Sequence, residues 1–281
     1  MPTIQLFLLT RFNLRIWHKD KSGGAVRSRE WLENRFELFE KFCLPSISNQ
    51  TCKVFVWIVL FDSRTPDSFK KRIGEFQKHC PQLTPIFVEP LEGRQFGQIF
   101  RKAILDRSDG GRIVTTYLDN DDALDIHFVE DLRMRAANLT DGTFVFYSDG
   151  YQYFTEFGLL MRIHYRRNHF VSVVESGDPD VTKTVFGYGS HYFIDKIPGA
   201  RIEYVKDVPL WCEVIHRRNM GNDAYFLLGT KMVRDVETLR RDFAVSETSR
   251  SGICLYLFRF IPRYIAVYFQ RIGYFFFGRK W

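Results

Sequence analysis

The chain has 281 residues, of which 45% are hydrophobic and 26% charged, as expected for a globular protein with a sizeable core in one large or two small domains. Residues 251–281 carry five of the seven net positive charges, so the rest of the chain is nearly balanced. That balance argues against a nucleic acid as the main partner of the protein.

The five cysteines are scattered, and none of them form a Cys-x-x-Cys pair. This pattern indicates reduced thiols in a cytoplasmic protein rather than a disulfide framework or a zinc site. The apolar N-terminus lacks the basic segment and the cleavage site of a signal peptide, so we expect it to form the first strand. The sequence contains no run of about 18 uncharged apolar residues, so we expect no transmembrane helix.

Apolar patterns predict alternating strands and helices through the first half of the chain. Short β-prone runs predict strands at 3–10, 53–61, 84–88, 112–118 and 143–147. Helical spacing predicts helices at 28–43, 66–80, 95–106 and 126–138. We expect Pro45 to end the first helix, Thr65 to cap the second and Asp125 to cap the fourth.

This alternation predicts an α/β fold with an open, mostly parallel sheet and helices on both faces. Ligands of such sheets bind beyond the carboxyl ends of the strands, where the sequence places residues 10–13, Asp62 and a group of acids. From 151 to 215 the pattern becomes mixed and rich in glycine and proline, which predicts a smaller antiparallel part that shapes a substrate site.

The acidic cluster, Asp119, Asn120, Asp121 and Asp122, follows the fourth predicted strand. Two unit charges about 4 Å apart repel by roughly 4 kcal/mol at an effective dielectric constant near 20, so a bound cation explains the cluster more readily than fold stability does. Two carboxylates at a strand end suit Mg²⁺ or Mn²⁺ bound together with a diphosphate. A solvated turn followed by a helix cap is the alternative, because turns favour Asp and Asn.

Four segments carry a resemblance to a known family: LLTRFNLR (8–15), WLENRFELFEKFCLPSISNQTCKVFVWIVLFD (31–62), YLDNDDAL (117–124) and WCEVIHRRN (211–219). Together they resemble the GT-A glycosyltransferases and, more narrowly, a rhamnosyltransferase family of bacteria. The resemblance implies a GT-A domain over 1–235, with a nucleotide-binding half at 1–150 and an acceptor half at 151–235. Residues 236–281 would then form a basic, aromatic C-terminal tail.

The resemblance also implies roles for individual residues. Asp121 would be the main metal ligand, Asp119 would lie near both metal and ribose, and His216 would close the metal shell. The nucleotide-sugar would be bound by Thr10, Arg11 and Asp62 at the base, Arg101 at the diphosphate, and Asn120 and Asp122 within the motif. For Arg101 a surface helix charge is the alternative, and for His216 an ordinary half-buried histidine.

Inversion at the anomeric carbon requires a general base that deprotonates the acceptor hydroxyl. Glu213 and Asp207 flank the late strand where similar enzymes carry this carboxylate, and Glu213 is our first choice. Four other acids are rivals, namely Asp149, Glu175, Asp178 and Asp180.

The resemblance thus implies a Mg²⁺- or Mn²⁺-dependent transfer of L-rhamnose from dTDP-rhamnose, with inversion, to a glycan or lipid-linked acceptor. The basic, aromatic segment 251–281 predicts peripheral contact with anionic lipid on the inner face of the cytoplasmic membrane. The alternatives are a sugar nucleotidyltransferase and a non-catalytic module that binds membranes or nucleic acid through the tail.

Overall fold

The structure of the protein is a computed structural model that describes residues 3–14, 16, 28–90, 95–216, 219, 231–233 and 237–246. Twelve strands are described: β1 Ile4–Arg11, β2 Val56–Asp62, β3 Leu83–Val88, β4 Arg112–Tyr117, β5 Ala123–Leu124, β6 Thr143–Tyr147, β7 Asp149–Phe154, β8 Leu159–His164, β9 Ser172–Ser176, β10 Arg201–Val205, β11 Trp211–Ile215 and β12 Lys231–Val233. The described helices are α1 Arg29–Leu38, α2 Leu44–Ser48, α3 Asp67–His79, α4 Phe96–Leu105, α5 Phe128–Ala136 and α6 Glu237–Phe243.

Seven strands form the main sheet in the order β10-β6-β9-β4-β1-β2-β3. All its neighbouring strands are parallel except β9, which runs antiparallel to β4 and β6. Side chains alternate along β1, so that Leu6 and Leu8 join one hydrophobic cluster while Phe7 and Leu9 join another. The first cluster includes residues of α1, α3 and α5 and the second includes residues of α4, which confirms the predicted α/β sheet with helices on both faces.

A second sheet has five strands in the order β12-β8-β7-β11-β5. It is mostly antiparallel, but β11 lies parallel to β7. The sheets do not divide at residue 150, because β9 and β10 complete the main sheet while β5 belongs to the second one. Residues before and after that position therefore build both sheets together.

Two predicted helix boundaries are wrong. The first helix does not end before Pro45. It continues from α1 through a π-helical turn, Phe39–Cys43, into α2, which contains Pro45 and ends at Ser48. Pro45 lies in the first turn of α2, where the fixed φ of proline is compatible with the helix. Thr65 does not cap α3, whose N-cap is Pro66; its hydroxyl donates instead to the Asp62 carbonyl at 2.6 Å.

Asp125 was predicted to cap the fourth helix, but it lies two residues before the N-cap. Helix α5 begins at Phe128 with His127 as its N-cap, and the Asp125 carboxylate accepts a bond from the His127 N–H at 2.8 Å. Asp125 therefore stabilises the turn that leads into the helix.

The four described cysteines, Cys43, Cys52, Cys80 and Cys212, are free, whereas Cys254 lies outside the described residues. Within the described residues, no helix has the length and apolarity needed to cross a membrane. The predicted tail contact at 251–281 falls on residues that the structure does not describe.

Gly150 lies directly under the indole ring of Trp211, and an added Cβ would overlap that ring. The ring cannot easily move, because Trp211 donates to the Tyr147 carbonyl at 2.7 Å and stacks on Phe170. We expect Gly150→Ala to lower the free energy of unfolding by about 1–3 kcal/mol in urea denaturation. Gly74→Ala is the control: it meets nothing within 4 Å in α3 and should raise the free energy of unfolding by about 0.5–1 kcal/mol. Equal effects of the two changes would contradict the packing argument.

Candidate active site

The acidic cluster lies in the loop that joins β4 to β5, at the carboxyl edge of the main sheet. Because β1, β2 and β4 are parallel, the residues that follow β1 and Asp62 at the end of β2 lie at the same edge, as predicted. The cluster is mostly buried: only Asp119 is partly exposed, and Asp122 is fully buried.

One oxygen of Asp121 contacts both an arginine and a histidine. Its Oδ2 accepts from the Arg35 guanidinium at 2.6 Å and lies 2.8 Å from His216 Nε2. Burial alone would raise the pKa of Asp121, but Arg35 and His216 hold it well below its usual value. The structure therefore joins His216 to Asp121, and it also adds a buried arginine that the sequence analysis did not identify.

Asp122 forms a second buried pair, with His169. The Asp122 Oδ2 lies 2.7 Å from His169 Nε2, and its Oδ1 accepts from the Val214 N–H at 2.8 Å. Burial raises the pKa of Asp122 to about 7. Burial lowers the pKa of His169, but the bond and charge of Asp122 outweigh it and raise the pKa to about 9. The carboxylate fixes the imidazole and ties the cluster to β11.

Asp119 is the most accessible carboxylate of the cluster. It accepts a bond from the Tyr117 hydroxyl at 2.5 Å and lies 3.9 Å from the Arg11 guanidinium, which itself donates to that hydroxyl at 2.6 Å. The Arg11 guanidinium is enclosed by aromatic rings, those of Phe96, Tyr117 and Phe186, at 4.8–5.4 Å from their centroids. Arg11 is thus held beside the cluster.

Asn120 holds the loop against β1. Its side-chain amide donates to the carbonyl oxygens of Arg11 and Phe12, both at 2.9 Å, and its oxygen accepts from Arg35 at 3.3 Å. These bonds leave Asn120 buried and fix the backbone that presents the three carboxylates.

Glu213 is 3% exposed on β11, and its carboxylate accepts from the Gln152 amide at 2.6 Å. Burial raises the pKa of Glu213 to about 7, with the charge of Asp122 raising it further and that of His169 opposing. Glu213 therefore lies within electrostatic reach of the acidic cluster and can exchange a proton near neutral pH.

Four predicted site residues are bonded elsewhere. Thr10 is buried and accepts from the Trp57 indole at 2.9 Å. Asp62 accepts from the Arg64 N–H at 2.8 Å, and beside it lies a cleft of about 190 Å³ lined also by Asn13 and Arg29. Arg101 and Asp207 also have their partners outside the cluster.

The side chain of Arg101 donates to the carbonyl oxygens of Thr182, at 2.8 Å, and Pro179, which makes it an anchor of that loop. Asp207 is exposed with a φ of 63°, and its N–H donates to Asp149 at 2.7 Å. Neither residue shows a bond to the acidic cluster within the described part of the chain. Glu213 lies within electrostatic reach of Asp122 and His169 and is therefore the better placed of the two base candidates.

The sequence analysis missed two residues of the site, Arg35 and His169. Arg35 carried a readable signal, because it shares the buried face of α1 with Trp31 and Leu38 and a charge on such a face needs a partner. His169 carried none: it reaches the cluster only because the chain returns antiparallel beside β4 as β9.

Each carboxylate of the cluster is thus near a cation of the protein itself. The Arg11 guanidinium faces Asp119, the Arg35 guanidinium faces Asp121, and the His169 imidazole faces Asp122. These side chains offset the repulsion within the cluster, so that repulsion does not by itself require a bound metal.

One set of side chains still fits a divalent cation. Single ligand atoms of Asp119, Asp122 and His169 all lie within 4.8 Å of one another. Two carboxylates and one neutral imidazole are an acceptable donor set for a first-row divalent metal, so the metal would have to displace the proton that His169 shares with Asp122. Asp121 fits less well, because the oxygen that faces His216 also accepts the Arg35 guanidinium.

The main α/β sheet thus carries a mostly buried acidic cluster at its carboxyl edge. The chain belongs to the family described as "Putative rhamnosyl transferase", whose model matches residues 9–224. That range includes every described residue of the acidic cluster and its partners. A search of curated proteins found no match.

Solved structures with a similar chain course include those of S. aureus TarS. The TarS structure has 10% identity and a TM-score of 0.38, with 75% of this chain and 36% of TarS covered. TarS 1-349 has 12% identity and a TM-score of 0.44, covering 75% of this chain and 60% of that one. TarS 1-349 in complex with UDP has 9% identity and a TM-score of 0.40, covering 76% and 61%. The chain therefore spans between about a third and three fifths of these proteins.

Proposed function

We propose that the protein transfers L-rhamnose from dTDP-rhamnose to a hydroxyl group of a glycan or lipid-linked acceptor, with inversion. The observation that carries this proposal is the acidic cluster at the carboxyl edge of the sheet, inside the range matched by the family. Arg11 and the cleft beside Asp62 lie at the same edge and would receive the nucleotide.

A divalent cation would be held by Asp119, Asp122 and His169. The bound cation would offset the negative charge that develops on the departing diphosphate. The imidazole in this set favours Mn²⁺ over Mg²⁺, which prefers oxygen ligands throughout. The alternative set of Asp119, Asp121 and His216 would require the cation to share Asp121 with the buried Arg35 guanidinium.

We assign the general base to Glu213. Its carboxylate is buried and held by Gln152, and its pKa of about 7 allows it to accept the acceptor's proton at neutral pH. Arg11 would contribute fixed positive charge beside Asp119, where the diphosphate has to lie.

The donor assay tests the function without a known acceptor, since water can replace the acceptor hydroxyl. Purified protein is incubated with dTDP-L-rhamnose, UDP-glucose or UDP-N-acetylglucosamine and Mn²⁺, and release of the nucleoside diphosphate is measured. We expect dTDP release from dTDP-rhamnose to be the fastest. The proposed donor would be contradicted if no donor released its nucleoside diphosphate, or if all three released it at the same rate.

Glu213→Gln should slow transfer or donor hydrolysis by about 100- to 10,000-fold, because the amide cannot accept the proton. Binding of dTDP should persist, since the amide preserves shape and can still bond to Gln152. Asp207→Asn is the matched control and should change the rate by less than about threefold. A larger effect at Asp207 than at Glu213 would reverse the assignment of the base.

The rate of donor hydrolysis should rise with pH. Burial raises the pKa of Glu213 to about 7, so below pH 7 the carboxyl group is protonated and cannot act as a base. We expect kcat/KM to fall by about tenfold per pH unit below this value and to level off above it. The acidic limb should disappear in Glu213→Gln, and its persistence would assign the titration to another group.

We also propose a peripheral membrane contact through residues 251–281, which the structure does not describe. Support comes from the sequence, where basic residues are interspersed among aromatic ones, a composition that suits a membrane interface. Full-length protein should cosediment with phosphatidylglycerol vesicles, and Arg259→Glu with Arg263→Glu should weaken this binding by about tenfold or more. Unchanged binding of the double variant would contradict the contact.

A further inference from the structure

The hydroxyl group of Tyr117 lies between the Arg11 guanidinium and the Asp119 carboxylate. It accepts a hydrogen bond from Arg11 Nη2 at 2.6 Å and donates one to Asp119 Oδ1 at 2.5 Å. The two charged groups are thereby held 3.9 Å apart. Charge-assisted bonds between an arginine and a carboxylate normally span about 2.7–2.9 Å, and the neighbouring pair of Arg35 and Asp121 closes to 2.6 Å. A hydroxyl bridge therefore replaces a direct ion pair at Asp119.

Packing on two sides holds the Tyr117 ring, and with it the hydroxyl. The centroid of the ring lies 5.0 Å from that of Phe186 and 5.7 Å from that of His169. Phe186 stacks in turn on Phe100 of α4 at 5.1 Å. Because Tyr117 is the last residue of β4 and pairs with Leu9 of β1, the sheet also fixes its backbone. The fold itself thus places the hydroxyl between the two charges.

Arg11 and Asp119 both keep the capacity to bind a further group. The Arg11 side chain is 24% exposed, and its Nε–H is buried without a hydrogen-bond partner among the described residues. The fork of a guanidinium matches the oxygen atoms of a phosphate group. The Asp119 side chain is 28% exposed, and its second oxygen lies 4.0 Å from His169 Nε2 in the candidate metal set. A direct ion pair would consume this capacity, because each group would neutralise the other.

We propose that Tyr117 is a positioning residue, whose hydroxyl keeps Arg11 and Asp119 from closing into a direct ion pair. The carboxylate then stays available to a divalent cation, and the guanidinium stays available to the diphosphate of the donor. This inference rests on the proposed function, because that function brings both ligands to the acidic cluster. The hydroxyl acts by spacing the two charges and takes no part in bond making.

A hydroxyl that only anchors Asp119 is the competing explanation. An anchor depends on its bond to Asp119 and not on the presence of Arg11. The loss of a spacer, by contrast, lets Arg11 shorten its 3.9 Å separation from Asp119 to about 2.8 Å. Removing the hydroxyl with and without Arg11 in place therefore distinguishes the two explanations.

Tyr117→Phe removes the hydroxyl oxygen and leaves the packed ring in place. We expect Mn²⁺ binding, measured by electron paramagnetic resonance of free Mn²⁺, to weaken by about tenfold, because Asp119 becomes paired with Arg11. Binding of dTDP, measured by titration calorimetry in EDTA without any metal, should weaken by about three- to tenfold, because the Arg11 donors turn to Asp119. The proposal is overturned if Tyr117→Phe binds either ligand as tightly as the wild type.

The Arg11→Met background separates spacing from anchoring. No guanidinium can reach Asp119 in this background, so adding Tyr117→Phe should change the Mn²⁺ affinity by less than about twofold. An equal loss of Mn²⁺ affinity in the wild-type and Arg11→Met backgrounds would identify an anchor and overturn the proposal.

Tyr147→Phe is the matched control. Tyr147 is buried on β6, and its hydroxyl also donates to a carboxylate, that of Asp131, at 2.7 Å. Arg135 already contacts that carboxylate directly at 2.6 Å, so this hydroxyl separates no charges. We expect Tyr147→Phe to change the affinities for Mn²⁺ and dTDP by less than about twofold. Losses as large as those in Tyr117→Phe would overturn the proposal.

Donor hydrolysis by the wild type separates this proposal from the proposed function. Hydrolysis of dTDP-rhamnose by the wild type, with unchanged Mn²⁺ and dTDP binding in Tyr117→Phe, would overturn the spacing role alone. Weaker binding of both ligands in Tyr117→Phe that depends on Arg11, with no turnover of any donor by the wild type, would support the spacing role and overturn the proposed transfer.

Discussion

Replacing Arg35 by alanine is expected to lower the free energy of unfolding by about 3–5 kcal/mol. Arg35 is 5% exposed and donates to Asp121 at 2.6 Å and to Asn120 at 3.3 Å. Its removal leaves the Asp121 carboxylate buried with only His216 beside it, and a buried charge that loses its main partner is strongly destabilising. Urea denaturation followed by circular dichroism measures the difference.

Arg72→Ala is the matched control for Arg35. Arg72 also binds two carboxylates, those of Glu33 and Glu40, but its side chain is 28% exposed, so we expect a loss of about 1 kcal/mol or less. In a double-mutant cycle, Arg35→Met should lower the free energy of unfolding by less in the Asp121→Asn variant than in the wild type, because no unpaired carboxylate remains. Equal losses for Arg35 and Arg72, or strict additivity with Asp121→Asn, would contradict the buried pair.

The second large effect is expected at Asp122. Asp122→Asn should weaken Mn²⁺ binding by about 100-fold or more, because the amide offers a weaker ligand and no longer orients the His169 ring by accepting its Nε2–H. His169→Ala should act in the same direction, since it removes the imidazole ligand. Electron paramagnetic resonance of free Mn²⁺ measures the affinity directly, independently of turnover.

Asp121→Asn and His216→Ala are the corresponding controls for this prediction. If Asp119, Asp122 and His169 hold the metal, these two changes should weaken Mn²⁺ binding by less than about tenfold. A loss at Asp121 and His216 that exceeds the loss at Asp122 and His169 would move the metal to the alternative set. Unchanged circular dichroism spectra would show that all four variants fold.

Local patterns predicted the strands and most helices of the main sheet, because residues buried on both faces leave long apolar runs such as 53–61. They failed at Pro45, where a preceding π-helical turn places the proline at the start of a new helix. Such a turn depends on packing of the whole segment and leaves no mark in the spacing of apolar residues.

The candidate site was predicted in part. The cluster, Arg11 and Asp62 followed from strand ends in a parallel sheet, and the pairing of His216 with Asp121 followed from the family resemblance. His169 could not be predicted, because the antiparallel insertion of β9 between β4 and β6 joins segments far apart in the chain. Arg101 reaches the 179–182 loop instead of the cluster, which helical spacing alone could not reveal.

The central claim is that the acidic cluster binds a nucleoside diphosphate together with a divalent cation. Titration calorimetry of the wild type with dTDP, UDP and GDP, each with and without Mn²⁺, tests it most directly. We expect dTDP to bind with micromolar to millimolar affinity. Mn²⁺ should strengthen this binding by about tenfold or more, and Asp122→Asn should abolish that increase. Binding of equal strength with and without Mn²⁺, in both the wild type and Asp122→Asn, would contradict it.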